Sequence, residues 1–206
     1  MSIEFWLTSI IVTATPGTGA LFTIAAGLAR GVKAGMVAAI GCTLGIVPHM
    51  VVALSGAAAL LTHSPVAFNA VKWLGVIYLL YMAWGTWRQT GVFAPEEEGK
   101  PTPSMGKTIG SAILVNLLNP KLTLFFFVFL PLFVDPSAEG ALGQMLILGA
   151  AFMAVTLAIF AVYGYCAAWL RKYVVGKPTV MRWIGRVFAI TFVALAIMLA
   201  FTSQGQ

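Results

Sequence analysis

Six long stretches of this chain carry almost no charge, at roughly residues 3–27, 34–61, 66–87, 107–134, 141–169 and 180–202, and they dictate what it can become. A helix needs about 20 mostly apolar residues to cross the hydrocarbon core of a bilayer. Six such stretches take up most of the 206 residues, so the whole chain, 1–206, reads as one transmembrane domain with no room for a second, soluble one. Only 9% of residues are charged, against about 25% in a soluble domain. In water this chain would expose more apolar surface than a soluble fold tolerates. That excludes a water-soluble enzyme, a disordered chain and a nucleic-acid module. The formal charge of +6 is spread thinly, with no basic patch interleaved with aromatics. The expected fold is an all-α integral membrane protein with six transmembrane helices.

The basic residues orient it. Arg30 and Lys33 follow the first span, and Arg88, Lys100 and Lys107 fall in or beside the segment 88–106. Arg171, Lys172 and Lys177 lie between the last two spans, and Arg182 and Arg186 at the start of the sixth. The opposite loops carry none; only Lys72 and Lys121 fall elsewhere. Lys and Arg accumulate on the cytoplasmic side. Both termini are therefore expected outside the cytoplasm, with 88–106 as a cytoplasmic linker. Its Pro, Gly and Glu96–Glu98 mark it as solvated. The N-terminus, with Glu4 where a signal peptide has basic residues, reads as a retained span. Cys42 and Cys166 sit in apolar runs and read as buried free thiols.

Two halves, about 1–87 and 107–206, look related. Lys72-Trp73-Leu74-Gly75 opens the third span, and Arg182-Trp183-Ile184-Gly185 opens the sixth. The first and fourth spans each hold a central proline, Pro16 and Pro120. Three spans per half is an odd number, so the second half must be inverted relative to the first. A three-plus-three inverted repeat is a secondary-transporter architecture, with sites at broken helices near the midplane.

The chemistry at these breaks follows from proline, which has no amide hydrogen. Pro16 frees the carbonyl of Val12, and Pro120 frees that of Asn116. In lipid such groups must meet protein, water or substrate. Thr15-Pro16-Gly17-Thr18 and Asn116, Asn119, Pro120 and Lys121 are the candidate substrate-binding residues. Half-helix N-termini and Lys121 would hold a carboxylate; freed carbonyls and the asparagine amides would hold an ammonium. A zwitterion such as an amino acid matches both. Against this, a membrane proline is often only a kink, Lys121 has the alternative of capping or snorkelling, and the asparagines of serving as interhelical hydrogen bonds. His49 is the candidate for proton coupling, or else a buried histidine satisfied by a carbonyl. Gly31, Gly35, Gly41 and Gly45 read as close-packing positions. No deep carboxylate, metal-ligand cluster, phosphate loop or nucleophile triad is present in the sequence, so no metal, cofactor or enzymatic chemistry is expected.

These residues also carry a resemblance. Thr15-Pro16-Gly17, the glycine spacings ending at His49, and Asn116-Leu117-Leu118-Asn119-Pro120-Lys121 followed by Leu130-Pro131-Leu132-Phe133 resemble motifs of the lysine exporter (LysE/RhtB) family of bacterial amino-acid efflux transporters. The resemblance spans almost the whole chain. It implies export of amino acids or related metabolites across the bacterial inner membrane, driven by proton exchange, with the bilayer as partner and a homodimer as one possible assembly. Where the family usually reads T-P-G-P-N, this chain has Thr18 and Gly19. The rival functions are a thiol-disulfide membrane carrier, which would want its cysteines at the breaks, and a small-solute channel.

Overall fold

Ser2 starts the first helix by accepting from the amide of Phe5 at 3.2 Å, an N-cap that serves one of the helix's unpaired donors. In the computed structural model the described residues are all of 1–206 except 16, 56–64, 89–102, 135–139, 175–177 and 202–206. Pro16, most of the linker, Lys100 and Lys177 therefore lie outside them. Helix α1 runs Ile3–Ala14 and buries Phe5, Ser9 and Thr13, one face at a spacing of four. Then follow α2, Thr18–Leu44; α3, Val47–Leu54; α4, Pro65–Trp87; α5, Met105–Leu117; and the short α6, Pro120–Leu124. A π-helical turn at Phe125–Phe129 and a 3-10 turn at Leu130–Phe133 precede α7, Ala141–Val174, and α8, Pro178–Ala200. Among the described residues there is no strand.

Helix α2 is a hairpin. The Cys42 thiol lies 3.6 Å from the carbonyl oxygen of Gly19, whereas 23 residues of straight helix would separate them by roughly 34 Å. The fold-back is at Gly31, whose φ of +80° and ψ of −171° suit a residue without a β-carbon. This is where the sequence places the boundary between its first two spans.

Two expectations need correction. The second span is not one continuous helix, because α2 stops at Leu44 and α3 begins at Val47. Pro48 has no amide to offer the Leu44 carbonyl, so the ladder breaks there. The fourth span loses α-geometry after Leu124, and Pro131 deletes the next ladder bond in the same way.

Thr18–Leu54 and Ala141–Tyr173 each contain 18 residues apolar enough to cross a membrane, with mean hydropathies of 2.0 and 2.6 over those residues. Met105–Leu117 with Lys121–Phe127, bent by 61°, makes a third if the pair is one span. Large apolar side chains also cover the outer surface: Leu7, Ile11, Ile77, Ile147 and Ile190 are all exposed. Water would not tolerate that sheath, and lipid does.

Helix α2 packs chiefly on α7 and α5, and α4 packs on α8. Glycine permits the first contact. A methyl at Gly27 would sit 2.6 Å from the Gly164 carbonyl oxygen, and one at Gly35 would sit 3.0 Å from the Gly164 Cα. Both arms of the hairpin thus cross α7 backbone to backbone. Gly27→Ala is expected to destabilise the protein by about 1–3 kcal/mol, since backbone cannot step aside. Gly110→Ala, which meets nothing within 4 Å, is expected to be neutral or to stabilise by up to about 1 kcal/mol through helix propensity. Unfolding of both purified variants in detergent checks this, and equal losses would contradict it.

Candidate functional site

A helix end leaves its last four carbonyls without amide partners, and in an apolar surrounding each needs a donor from elsewhere. At the end of α1 one donor residue is adjacent and the others come from distant parts of the chain. The Ile11 carbonyl accepts from the Thr15 amide at 2.9 Å and from the Thr15 hydroxyl at 2.7 Å. The Val12 carbonyl, which residue 16 cannot serve because it is proline, accepts from Lys121 Nζ at 2.8 Å. The same ammonium donates to the Thr15 carbonyl at 2.6 Å. Tyr163 of α7 donates its hydroxyl to the Ala14 carbonyl at 2.6 Å.

The end of α5 is served in the reverse direction. Thr18, just after the first break, donates its hydroxyl to the Val115 carbonyl at 3.4 Å. The Asn116 carbonyl, which Pro120 cannot serve, accepts from the Asn119 amide at 3.1 Å and lies 3.0 Å from His49 Nε2. A carbonyl only accepts, so that ring nitrogen carries the proton. Asn119 caps α6, its Oδ1 accepting from the Lys121 amide at 3.1 Å, and its Nδ2 donates to Asn116 Oδ1 at 3.2 Å. Asn116 Nδ2 donates to the Cys42 carbonyl at 2.6 Å. Each break therefore supplies donors to the carbonyls of the other.

The glycine spacing that ends at His49 now has a physical meaning. A methyl at Gly41 would lie 2.7 Å from the Ala112 Cβ, and one at Gly45 would lie 2.9 Å from the Ile113 carbonyl oxygen. Two bare turns let this stretch lie against α5, and the third brings His49 onto the freed carbonyl. Gly17 has a similar use, since a Cβ there would stand 3.1 Å from Lys121 Nζ.

Gly17, Gly19, Asn116, Asn119 and Lys121 line one small cavity of about 10 Å³, room for about one water. Pro16 lies outside the described residues, as does the side chain of Pro120. The cavity's far wall is Phe152, Thr156 and Phe160 of α7. The sequence reading missed these and Tyr163. Their signal was present: 152, 156, 160 and 163 repeat at helical spacing, two of them polar-tipped.

The asparagine side chains form internal hydrogen bonds, and Lys121 rests on the carbonyls that were expected to receive an ammonium. Both cysteines are free thiols, but the expectation of burial holds for Cys42 alone: Cys166 is exposed on α7. Cys42 touches the Gly19 carbonyl, nearer the first break than its place in the sequence suggests. Gly19, the departure from the usual motif, faces Asn116: a Cβ there would overlap Asn116 Oδ1. The Asn116 amide fills the space that a side chain at 19 would need. Stability measurements on Gly19→Ala, Asn116→Ala and the double variant are expected to give a coupling of about 0.5–3 kcal/mol, with Asn116→Ala relieving the clash. Additive effects would contradict the overlap.

The model of the LysE type translocator family matches residues 10–203. The chain belongs to that family of membrane transporters and is not an enzyme. It is 29% identical to an uncharacterized membrane protein of Vibrio cholerae serotype O1, over 97% of this chain and 98% of that one. It is equally 29% identical to a homoserine/homoserine lactone efflux protein of Salmonella typhimurium, over 97% and 98% of the two chains. A leucine efflux protein of an Enterobacter species is 29% identical over 96% and 95%. No solved structure matches the chain.

Proposed function

We propose that this translocator exports amino acids or closely related metabolites across the bacterial inner membrane, by secondary transport coupled to proton exchange. The observation that carries the reading is the bond from Lys121 Nζ to the Val12 and Thr15 carbonyls, across two broken helices that share one cavity. An intramembrane cation on freed backbone carbonyls is the chemistry of a transport site. Homoserine, its lactone and leucine, the compounds in the relatives' names, share a primary amine beside a carbonyl carbon. The candidate binding residues are Thr15, Pro16, Gly17, Thr18, Asn116, Asn119, Pro120 and Lys121. His49, seated on the second break, is the proposed proton carrier. In the state described the cavity has room for about one water, so loading requires the two breaks to part.

The proposal includes six crossings as a three-plus-three inverted repeat, alone or as a homodimer. It is supported by the hairpin at Gly31, by the reciprocal donation between the breaks, and by the packing of α4 on α8, the third and sixth spans. Both termini face away from the cytoplasm in this reading. Its support is the grouping of basic residues: Arg30 donates to Thr108 at 3.4 Å, Arg171 to the Ala29 carbonyl at 3.4 Å, and Arg186 lies 5.4 Å from the Trp87 ring.

The test is flux of labelled homoserine and leucine into inverted vesicles. Uptake against a gradient, abolished by collapsing the proton gradient, is expected; equilibration alone would indicate a channel. Lys121→Met is expected to lower flux by at least about tenfold, as for removing a partner of a desolvated charge. Wild-type flux in that variant would remove Lys121 from the site. For the topology, Glu97→Cys is expected to react with an impermeant thiol reagent only after the cytoplasmic face is opened. Labelling in intact cells would reverse the orientation.

A further inference from the structure

We infer that the carbonyl oxygens of Val12 and Thr15 form a subsite for a primary ammonium group, and that Lys121 fills it with its own ammonium while no substrate is bound. The inference deepens the exporter reading and rests on it. A lysine ammonium has three N–H donors and no acceptor. Two of them point at these carbonyls, at 2.8 and 2.6 Å. Proline at 16 leaves Val12 without the amide that would otherwise serve it, and the backbone of Thr15 is extended, outside the helix. The pair is thus an acceptor site that a mobile donor must fill, and Gly17 leaves its approach open.

A substrate with an amine beside a carbonyl group can exchange with Lys121. Its ammonium takes the two carbonyl oxygens, and the displaced Nζ turns to the substrate's carboxylate or ester carbonyl. Donors and acceptors stay matched before and after, so neither state is trapped by an unpaired charge in the low-dielectric interior. An alkylammonium with no carbonyl group cannot make this exchange. It would leave Lys121 charged, desolvated and without an acceptor. The wild-type protein therefore excludes simple amines, and the residue that excludes them is Lys121.

The experiment removes the resident ammonium. Propylammonium is titrated into purified wild type and Lys121→Ala, with thermal unfolding and calorimetric binding as readouts, and propionate as the control. A ligand that binds only the folded state raises its Tm. Propylammonium is expected to raise the Tm of Lys121→Ala and to bind it at least about tenfold more tightly than wild type, because the occupied fraction of the subsite is released. Propionate is expected to do neither in the variant. Equal affinity for propylammonium in both proteins, or none for the variant, overturns the inference. Where Lys121→Ala does not purify, Lys121→Met with ammonium chloride against sodium chloride is the same test, its side chain ending one atom short of Nζ. Amino-acid flux in the wild type tests the exporter reading separately, so the two can fail independently.

Discussion

A backbone carbonyl without a donor is costly wherever water is absent, and this protein contains at least two helix ends that create such groups inside its apolar body. Their satisfaction organises the rest. Lys121 reaches from the second break to Val12 and Thr15, Thr18 reaches from the first to Val115, and His49 and Tyr163 close on Asn116 and Ala14. The breaks cannot be positioned independently, because each holds donors that the other needs. A protein with these contacts must either keep the breaks together or supply replacements when they part. A substrate bearing its own ammonium and carbonyl is such a replacement.

The scaffold makes that exchange geometrically possible through bare backbone. The hairpin of α2 presents Gly27 and Gly35 to α7 and Gly19, Gly41 and Gly45 to α5. A β-carbon at any of these places would overlap or crowd its neighbour, and the helices would have to move apart. With glycine there, Asn116 reaches the Cys42 carbonyl and His49 reaches the Asn116 carbonyl. Aromatic packing backs the site, with Phe125 stacked on Phe152 at 3.9 Å between centroids. Apart from Thr156 and Tyr163, α7 meets the breaks through a hydrophobic face.

Much of this was readable from residue types. Prolines lack a donor wherever they stand, so Val12 and Asn116 were recognisable as carbonyls in need of one, and Lys121 as a cation with no polar surroundings of its own. What could not be read was who meets whom. Asn116 and Asn119 have the chemistry to bind an ammonium, but their amides are consumed by Cys42, by each other and by the α6 cap. Tyr163 and Thr156 were overlooked because a helical stripe of large residues reads the same whether it faces a core or a cavity. Pro48 stands directly before His49, and its missing amide breaks the second span just as Pro16 and Pro120 leave carbonyls over in theirs.

The sequence by itself determined the solvent, through uncharged stretches too long for a soluble fold, the positions where the helices must break, and the carbonyls left over there. Those properties are local: they depend on hydropathy and on which residue lacks an amide. Only the tertiary structure decided that the two breaks serve each other, that Lys121 lies on the carbonyls, and that Asn116 occupies the space beside Gly19. Each of these depends on residues 97 to 109 positions apart coming into direct contact. Packing of whole helices settles that, and no local pattern encodes it.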